Sequence, residues 1–487
     1  MDRPSFLVIV SDQHNPHVAG YAGDSVVRTP HLDRLAAAAV RFDNTYCAGP
    51  LCVPSRMAFM TGQYPLDLGI WTNGGVLPSA TPTFAHALAA GGYETVLCGR
   101  MHFVGPDQNH GFQRRLVGDV SGALTGMPAP GEMFEGVWSK RGCGQDYGSL
   151  LGDAVGPGRA TYEIYDEAVV ERAEALLAEW DRRPADRPFC LVVGLLLPHN
   201  PYVCSRALFE EYMDRLPAMA GTVDDGHEHA AVRELKQQRG AGRITPEMAR
   251  RARAAYYGLV TTLDGSVGRL TRALAATRFA RSTHVLYTSD HGDLCGEHGL
   301  WWKDSFYEGS VRVPLLWGCP DGGGSGAADR RVVSLCDLAV TFTDLAGAPA
   351  LPAARGQSLA PALRRERQRP AGSGTAFAET CAVGQRPARM VRQGPWKLCV
   401  YHGYEQVQLF DVDHDPGETR DLGRESACAE ARDALREAVT RDWDGAIVEQ
   451  RLRCREAEGE LLARSRAAAG PASSECWAFP LGGNRHG

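Results

Sequence analysis

Four apolar runs constrain this chain more than any other feature, because each one ends on a cluster of polar residues. Phe6–Val10, Tyr93–Cys98, Phe189–Leu197 and His284–Thr288 are short, mostly apolar and rich in β-branched or aliphatic residues, the pattern of strands covered on both faces. In order, they deliver Ser11-Asp12-Gln13-His14, Gly99-Arg100-Met101-His102, Pro198-His199-Asn200-Pro201-Tyr202 and Ser289-Asp290-His291-Gly292-Asp293. Helical patterns lie between them at 31–40, 79–91, 162–181 and 246–277, the last with proline in its first turn. Strands alternating with helices predict an α/β fold, a large and mostly parallel sheet sandwiched by helices. Open α/β sheets build their sites beyond the carboxyl ends of the strands, and these four clusters fall there. Residues 313–317 read as a further strand, ending in the Gly-rich loop 321–327.

After about residue 365 the texture changes. Short strand patterns at 375–379, 388–392, 396–400 and 406–410 follow one another without helices, and 424–440 then reads as a helix. The expected organisation is a catalytic α/β domain (1–365), a small C-terminal antiparallel sheet with a helix docked on it (366–445), and a tail (446–487). The tail holds a charged helix and Trp477-Ala-Phe-Pro480. Residues 113–160, rich in Gly and Pro, predict site-facing loops, and the polar stretch 205–245 predicts an excursion over the site.

Composition excludes several classes. A net charge of −6 and a pI near 6.2 argue against a nucleic-acid partner bound through its phosphates. No apolar run reaches the length of a membrane span, and Phe6–Val10 is too short for a signal segment. Fourteen cysteines occur without Cys-x-x-Cys pairs, which indicates neither a zinc ribbon nor a disulfide scaffold. Cytoplasmic localisation is the expectation.

One cysteine stands apart. In Cys47-Ala-Gly-Pro-Leu-Cys52-Val-Pro54-Ser55-Arg56-Met-Ala-Phe-Met60-Thr61-Gly62, a Cys-x-Pro turn leads into a helical run that stops at glycine. Cys52 is thereby placed at a helix N-terminus, where free N–H groups favour an anion. Arg56, one turn on, offers a planar fork for an oxyanion. Taken alone, the stretch reads equally as an ordinary capped helix with a buried thiol.

Cys52-Val-Pro54-Ser55-Arg56 with Met60-Thr61-Gly62 resembles the signature of the type I sulfatases of the alkaline-phosphatase-like superfamily. Further matches are Ser11-Asp12-Gln13, Gly99-Arg100-Met101-His102, Pro198-His199, Ser289-Asp290-His291-Gly292-Asp293 with Lys303, Phe306-Tyr-Glu-Gly-Ser-Val-Arg312-Val-Pro314, and Gln408-Leu-Phe-Asp411 with Asp415-Pro416. The run from Arg100 through Gln108 and His110 to Phe112 is similar to the choline-sulfatase-like branch. The resemblance implies a sulfuric-ester hydrolase in which a maturation enzyme oxidises Cys52 to formylglycine. One oxygen of the hydrated aldehyde attacks sulfur and expels the alcohol. The other then releases sulfate by C–O cleavage, splitting one difficult step into two.

The resemblance also implies one divalent metal ion on Asp12, Gln13, Asp290, His291 and the group derived from Cys52. Ca²⁺ is the first choice, since carboxylates suit a hard ion, with Mg²⁺, Mn²⁺ and Zn²⁺ as alternatives. Gln13 stands where many sulfatases carry a second Asp. Arg56, Arg100, His102, His199 and Lys303 match the sulfate-binding shell. Among them, His102 is implied as a base on the diol, His199 as the acid for the leaving oxygen, and Lys303 as a bridge between nucleophile and sulfate. Arg100 occupies a position that is commonly Lys. Asn73 is a candidate for a sulfate oxygen or an ordinary turn residue. His14, His17 and His298 are weaker candidates, Trp301 and Trp302 fit the core better than a pocket, and Asp107 with His110 braces a loop.

The expected substrate is a small alkyl or aryl sulfate monoester, choline sulfate among the candidates. A quaternary ammonium would need an aromatic and acidic cage, sought near Glu379. Two rival readings remain at this point: a phosphonate monoester or phosphodiester hydrolase of the same superfamily, and a non-catalytic anion-binding relative left unmatured at Cys52. By resemblance, the tail is expected to exchange contacts within a homo-oligomer, a dimer or tetramer.

Overall fold

Strand register brings the polar strand ends together. The structure, a computed structural model, describes residues 3–119, 151, 155–183, 187–217, 228–320, 322, 326–364, 374–381 and 386–469. Its strands are β1 (Ser5–Asp12), β2 (Val40–Tyr46), β3 (Glu94–Gly99), β4 (Arg114–Leu116), β5 (Gly156–Pro157), β6 (Phe189–Pro198), β7 (Val203–Cys204), β8 (Thr283–Ser289), β9 (Leu315–Gly318), β10 (Ala328–Ser334), β11 (Thr375–Thr380), β12 (Ala388–Gln393), β13 (Trp396–Tyr401) and β14 (Val407–Asp411). The main sheet runs β10-β2-β9-β8-β1-β6-β3-β4. β1 is parallel to β6 on one side and β8 on the other, with Phe6 opposite both Cys190 and His284 and Ser11 opposite Ser289. Gly99 of β3 faces Gly194 of β6. Four carboxyl ends therefore finish on one edge of the sheet.

β9 is antiparallel to both β2 and β8. The sequence pattern cannot show this reversal, because a doubly covered strand reads the same in either direction.

Alternation along β1 feeds two cores, as a period of two requires. Leu7 and Ile9 join Leu191 and Val193 in the layer with helices Thr161–Asp181 and Pro246–Ala275, while Phe6, Val8 and Val10 join Cys190 and Val192 in the layer with Cys52–Thr61, Phe84–Ala90 and Cys336–Ala346. Each such side chain contributes roughly 1.5–3 kcal/mol of burial. The helix expected at 79–91 is shorter, Phe84–Ala90, because Thr83 caps it by accepting from the His86 N–H.

β11–β14 form an antiparallel sheet in sequential order, with helix Ala429–Thr440 against β12 and β13. This sheet and the main one lie in one compact unit, residues 1–443. A buried lysine helps to explain why. Lys397 of β13 donates to the Phe306 carbonyl at 2.6 Å and to Glu308 at 2.8 Å, and pairs with Glu418 at 2.5 Å. Glu418 in turn accepts the Glu308 N–H. Residues from 444 onward form a second unit, described by the helix Gly445–Ala469. Trp477–Pro480 and most of the loop expected at 113–160 lie outside the described residues.

Candidate active site

Cys52 opens a wholly buried helix, Cys52–Thr61. Pro54 sits in the first turn, where a missing N–H costs nothing, and Gly62, at φ 71°, ends the helix in the left-handed region. The thiol meets the strand ends directly. Sγ lies 3.7 Å from Asp12 Oδ1, 3.3 Å from His291 Nε2 and 3.4 Å from Lys303 Nζ. Burial alone would raise this thiol, but Lys303 and His291 outweigh it and bring Cys52 well below an ordinary cysteine.

Asp12, Cys52, Asp290 and His291 each turn one ligand atom into a common space, all within 4.8 Å of one another and all buried. His291 donates from Nδ1 to the Gly292 carbonyl at 3.0 Å, so the Nε2 lone pair faces the cluster. Burial and the Cys52 charge would raise Asp12, yet Arg100, His199 and Arg56 hold it far below the usual carboxylate range. Asp290 is raised, by burial and by Asp12, against the pull of Arg56. Two buried carboxylates, an imidazole and position 52 are a donor set that fits a divalent cation.

Gln13 sits beside this set with its amide committed. Its Oε1 accepts from Lys303 Nζ at 2.8 Å and its Nε2 donates to Asp293 Oδ2 at 2.6 Å. A cation at Gln13 would share the carbonyl oxygen with Lys303. Lys303 also donates to His199 Nε2 at 3.1 Å, while His199 donates from Nδ1 to the Asn200 carbonyl at 2.6 Å.

Two candidate sulfate contacts have partners within the protein. Arg56, 1 % exposed, donates to Asp290 at 2.7 Å, Asp12 at 3.2 Å and the Arg100 carbonyl at 3.1 Å. It braces the two carboxylates of the cluster from within the protein. Asn73 accepts the Val53 N–H at 3.0 Å, satisfying one of the free donors at the start of the Cys52 helix. Arg100 and His102 stand next to the cluster. The arginine donates to Asp12 at 2.8 Å, Asp119 at 3.3 Å and His102 Nδ1 at 2.8 Å.

Residues 4–348 match the family model described as Sulfatase. The chain belongs to the sulfatase family. Residues 296–443 also match the model for the C-terminal part of N-sulphoglucosamine sulphohydrolase, ending where the first compact unit ends. The sulfatase is 35% identical to a choline-sulfatase of Rhizobium meliloti (strain 1021) over 435 residues, 86% of this chain and 82% of that one. It is 28% identical to arylsulfatase K of Danio rerio over 466 residues, 90% and 84% of the two chains. Its fold is like that of a phosphonate monoester hydrolase of Agrobacterium radiobacter, at TM-score 0.72 and 23% identity, covering 90% of this chain and 94% of that one. The protein is a sulfatase enzyme, with the alkaline-phosphatase-like architecture that the sequence predicts.

Two residues to which the sequence assigns no role, Asp119 and Asp293, hold the sulfatase site in shape. Asp119 pairs with Arg100 and accepts the His102 N–H at 2.7 Å. Asp293 holds Gln13, accepts the Cys295 and Trp302 N–H groups, and is hydrogen-bonded by Tyr202. The Gly118-Asp119 pair, one residue beyond the short β4, was the available signal for Asp119. His14 is bonded to Tyr287 and the Val18 carbonyl, His298 stacks on Tyr307, and both tryptophans lie in the core. Asp107 accepts the His110 N–H, as the loop reading requires.

A cavity opens on the residues that follow Lys303. Asp304, Ser305 and Phe306 line it with Leu235, Tyr401 and Tyr404. Helix Ala230–Arg239, part of the polar excursion expected over the site, forms one wall, and Arg239 pairs with Asp304 at 2.5 Å. Glu379 does not line it, being bonded instead to Trp71 Nε1 at 2.6 Å. Its neighbour Thr380 does. Asp304 Oδ1, Ser305 Oγ and Thr380 Oγ1 are buried there without a hydrogen-bond partner.

Proposed function

We propose that this sulfatase cleaves a small alkyl or aryl sulfate monoester to alcohol and sulfate, with formylglycine derived from Cys52 as its nucleophile. The observation that carries the reading is the position of Cys52, at the start of a buried helix and in contact with Asp12, His291 and Lys303. A structural thiol has no need of a lysine at 3.4 Å. Hydrated formylglycine supplies one hydroxyl to attack sulfur and a second to release sulfate. A divalent ion on Asp12, Asp290, His291 and position 52, Ca²⁺ as first choice, supplies charge against the nucleophile and the sulfate oxygens.

The chain's own groups do the rest. Lys303 brings a cation to the nucleophile and hydrogen-bonds His199, which places the pair to serve sulfate and the leaving oxygen. Arg56 and Asn73 keep the carboxylates and the Cys52 helix in register. We assign the alcohol portion to the cavity beyond Lys303. Phe306, Tyr401 and Tyr404 give it aromatic walls, and its charged lining is mixed, Glu234 and the Arg239-paired Asp304 against Arg386, so choline, the alcohol in the name of the Rhizobium relative, is one candidate beside neutral alkyl and aryl alcohols.

A panel of choline sulfate, neutral alkyl sulfates, aryl sulfates, a phosphonate monoester and a phosphodiester tests the reading, using parent protein and Cys52→Ala. Intact mass of the parent reports conversion of Cys52. Hydrolysis of sulfates by the parent, lost in Cys52→Ala, is the expected result. Faster turnover of phosphonate or phosphodiester would reassign the substrate, and activity with an unmodified thiol would overturn the nucleophile.

A further inference from the structure

We propose that Asp166, on the helix Thr161–Asp181, fixes the place of His199 by holding a bulge in β6. The catalytic consequence rests on the reading of His199 as the group that serves the leaving oxygen.

Strand register shows the bulge. β1 and β6 pair in step from Phe6 with Cys190 to Val10 with Gly194, and the next pair is Asp12 with Pro198. Over that interval β6 uses two residues more than β1, roughly 6–7 Å of strand. In an even ladder Leu196 would face Asp12, and His199 would lie three residues beyond it. With the bulge, Pro198 faces Asp12 and His199 follows at once. Its Nε2 lies 4.0 Å from Asp12 Oδ1 and 3.1 Å from Lys303 Nζ.

A bulge takes backbone donors out of the ladder, and here they belong to buried residues, Leu196 and Leu197. On the other flank, β3 pairs with β6 no further than Gly194. Asp166 takes both amides, one on each carboxylate oxygen. The Leu196 N–H donates to Oδ1 at 2.8 Å and the Leu197 N–H to Oδ2 at 2.9 Å. Buried N–H groups have to be paired, so this carboxylate favours the bulged register over the even one. The Leu196 carbonyl then accepts the His199 N–H at 2.9 Å, which ties the histidine to the amide pair that Asp166 holds. One turn earlier on the same face of the helix, the Tyr162 ring meets the His199 ring edge-on, with centroids 5.8 Å apart. A single helix thus sets both the backbone and the ring of His199. Asp166 acts through β6 and is on this account a positioning residue.

Placement is read from ¹H–¹⁵N spectra of the imidazole rings in full-length, histidine-labelled Cys52→Ala protein, with and without Asp166→Asn. His199→Gln assigns the His199 signals. Asp166→Asn leaves one acceptor for two amides, so the His199 signals are expected to shift or broaden while those of His86 stay in place. Unmoved His199 signals overturn the proposal. Asp166→Glu, which keeps both acceptors on a longer arm, is read in the same way and replaces Asp166→Asn in both assays if that variant does not fold. Kinetics supply the second arm, at equal formylglycine content by mass, on sulfate esters running from nitrophenyl through phenyl to alkyl. His199→Ala and Asp166→Asn are both expected to lose about 10²-fold on the poorest leaving group and less than about 3-fold on nitrophenyl sulfate. The double variant is expected to lose no more than His199→Ala alone. A loss in Asp166→Asn that is equal across the esters, or that adds to the His199→Ala loss, would make Asp166 merely structural and sink the positioning role. If His199→Ala shows no dependence on the leaving group while the ring signals still move in Asp166→Asn, the acid reading of His199 falls and the placement by Asp166 stands.

Discussion

The sharpest prediction concerns Glu418, at the seam between the two sheets. Glu308 and Glu418 share the single ammonium of Lys397, with all three side chains buried. Burial opposes ionisation of both, but Lys397 with two arginines holds Glu308 at about 2, while Glu418, facing the charge of Glu308, is pushed up to about 7. An unfolded glutamate titrates near 4.5. Between that value and 7 the folded protein binds the extra proton, so stability is greatest below the unfolded value and falls as pH rises through the folded one. At about 1.4 kcal/mol per unit, Glu418 removes about 2 to 3 kcal/mol between pH 5 and pH 8. Glu418→Gln cannot ionise, so this loss disappears. Equilibrium urea unfolding of parent and variant at pH 5, 6, 7 and 8 measures it, the difference between the two isolating Glu418 from the other buried carboxyls. The parent is expected to lose that amount relative to the variant. Parallel curves across the range would refute the argument that two buried carboxylates compete for one cation.

Three further outcomes follow from the site. Gly194→Ala places a Cβ 1.7 Å from the Arg100 carbonyl, so the variant is expected to lose more than about 3 kcal/mol by thermal unfolding, and a parent-like Tm would show that β3 and β6 are not held that closely. Asn73→Ala frees the Val53 N–H and is expected to cost about 1 kcal/mol, whereas Asn73→Asp, which keeps an acceptor there, retains most of it in the same denaturation assay. Chelation by EDTA is expected to abolish sulfate ester hydrolysis and lower Tm, with Ca²⁺ or Mn²⁺ restoring both. Unchanged activity and Tm in metal-free protein would rule out a bound ion on Asp12, Asp290 and His291.

What the sequence discloses depends on whether a residue's role is carried by its own strand or by a distant partner. Asp12, His102, His199, Asp290 and His291 were legible because each follows an apolar run, and runs of that kind end at one edge of the sheet. The packing roles of Arg56 and Asn73 were not legible, for the opposite reason. Their partners, Asp290 and Asp12 for one and Val53 for the other, are decided by packing, and an arginine near an anion site reads the same whether it faces a ligand or a carboxylate. Lys397 illustrates a further limit: it acts on Phe306 and Glu308, far away in the chain, and nothing local distinguishes it from a surface lysine in a short strand. The reversal of β9 and the fusion of the C-terminal sheet into the first unit belong to the same class.

The place of β1 also bears on when chemistry at Cys52 can happen. β1 is made first but lies in the middle of the sheet, and its two neighbours, β6 and β8, are completed only at residues 198 and 289. At 5–20 residues per second, synthesis from residue 53 to residue 289 takes on the order of 10 to 50 s. Throughout that interval the Cys52 segment has no completed sheet edge to pack upon. In the finished fold Cys52 is 1 % exposed, beyond the reach of another protein's active site. If Cys52 is the formylglycine precursor proposed above, the strand order acts as a clock: the enzyme that modifies it has to work on the nascent or unfolded chain, and the closing of β8 against β1 ends its opportunity.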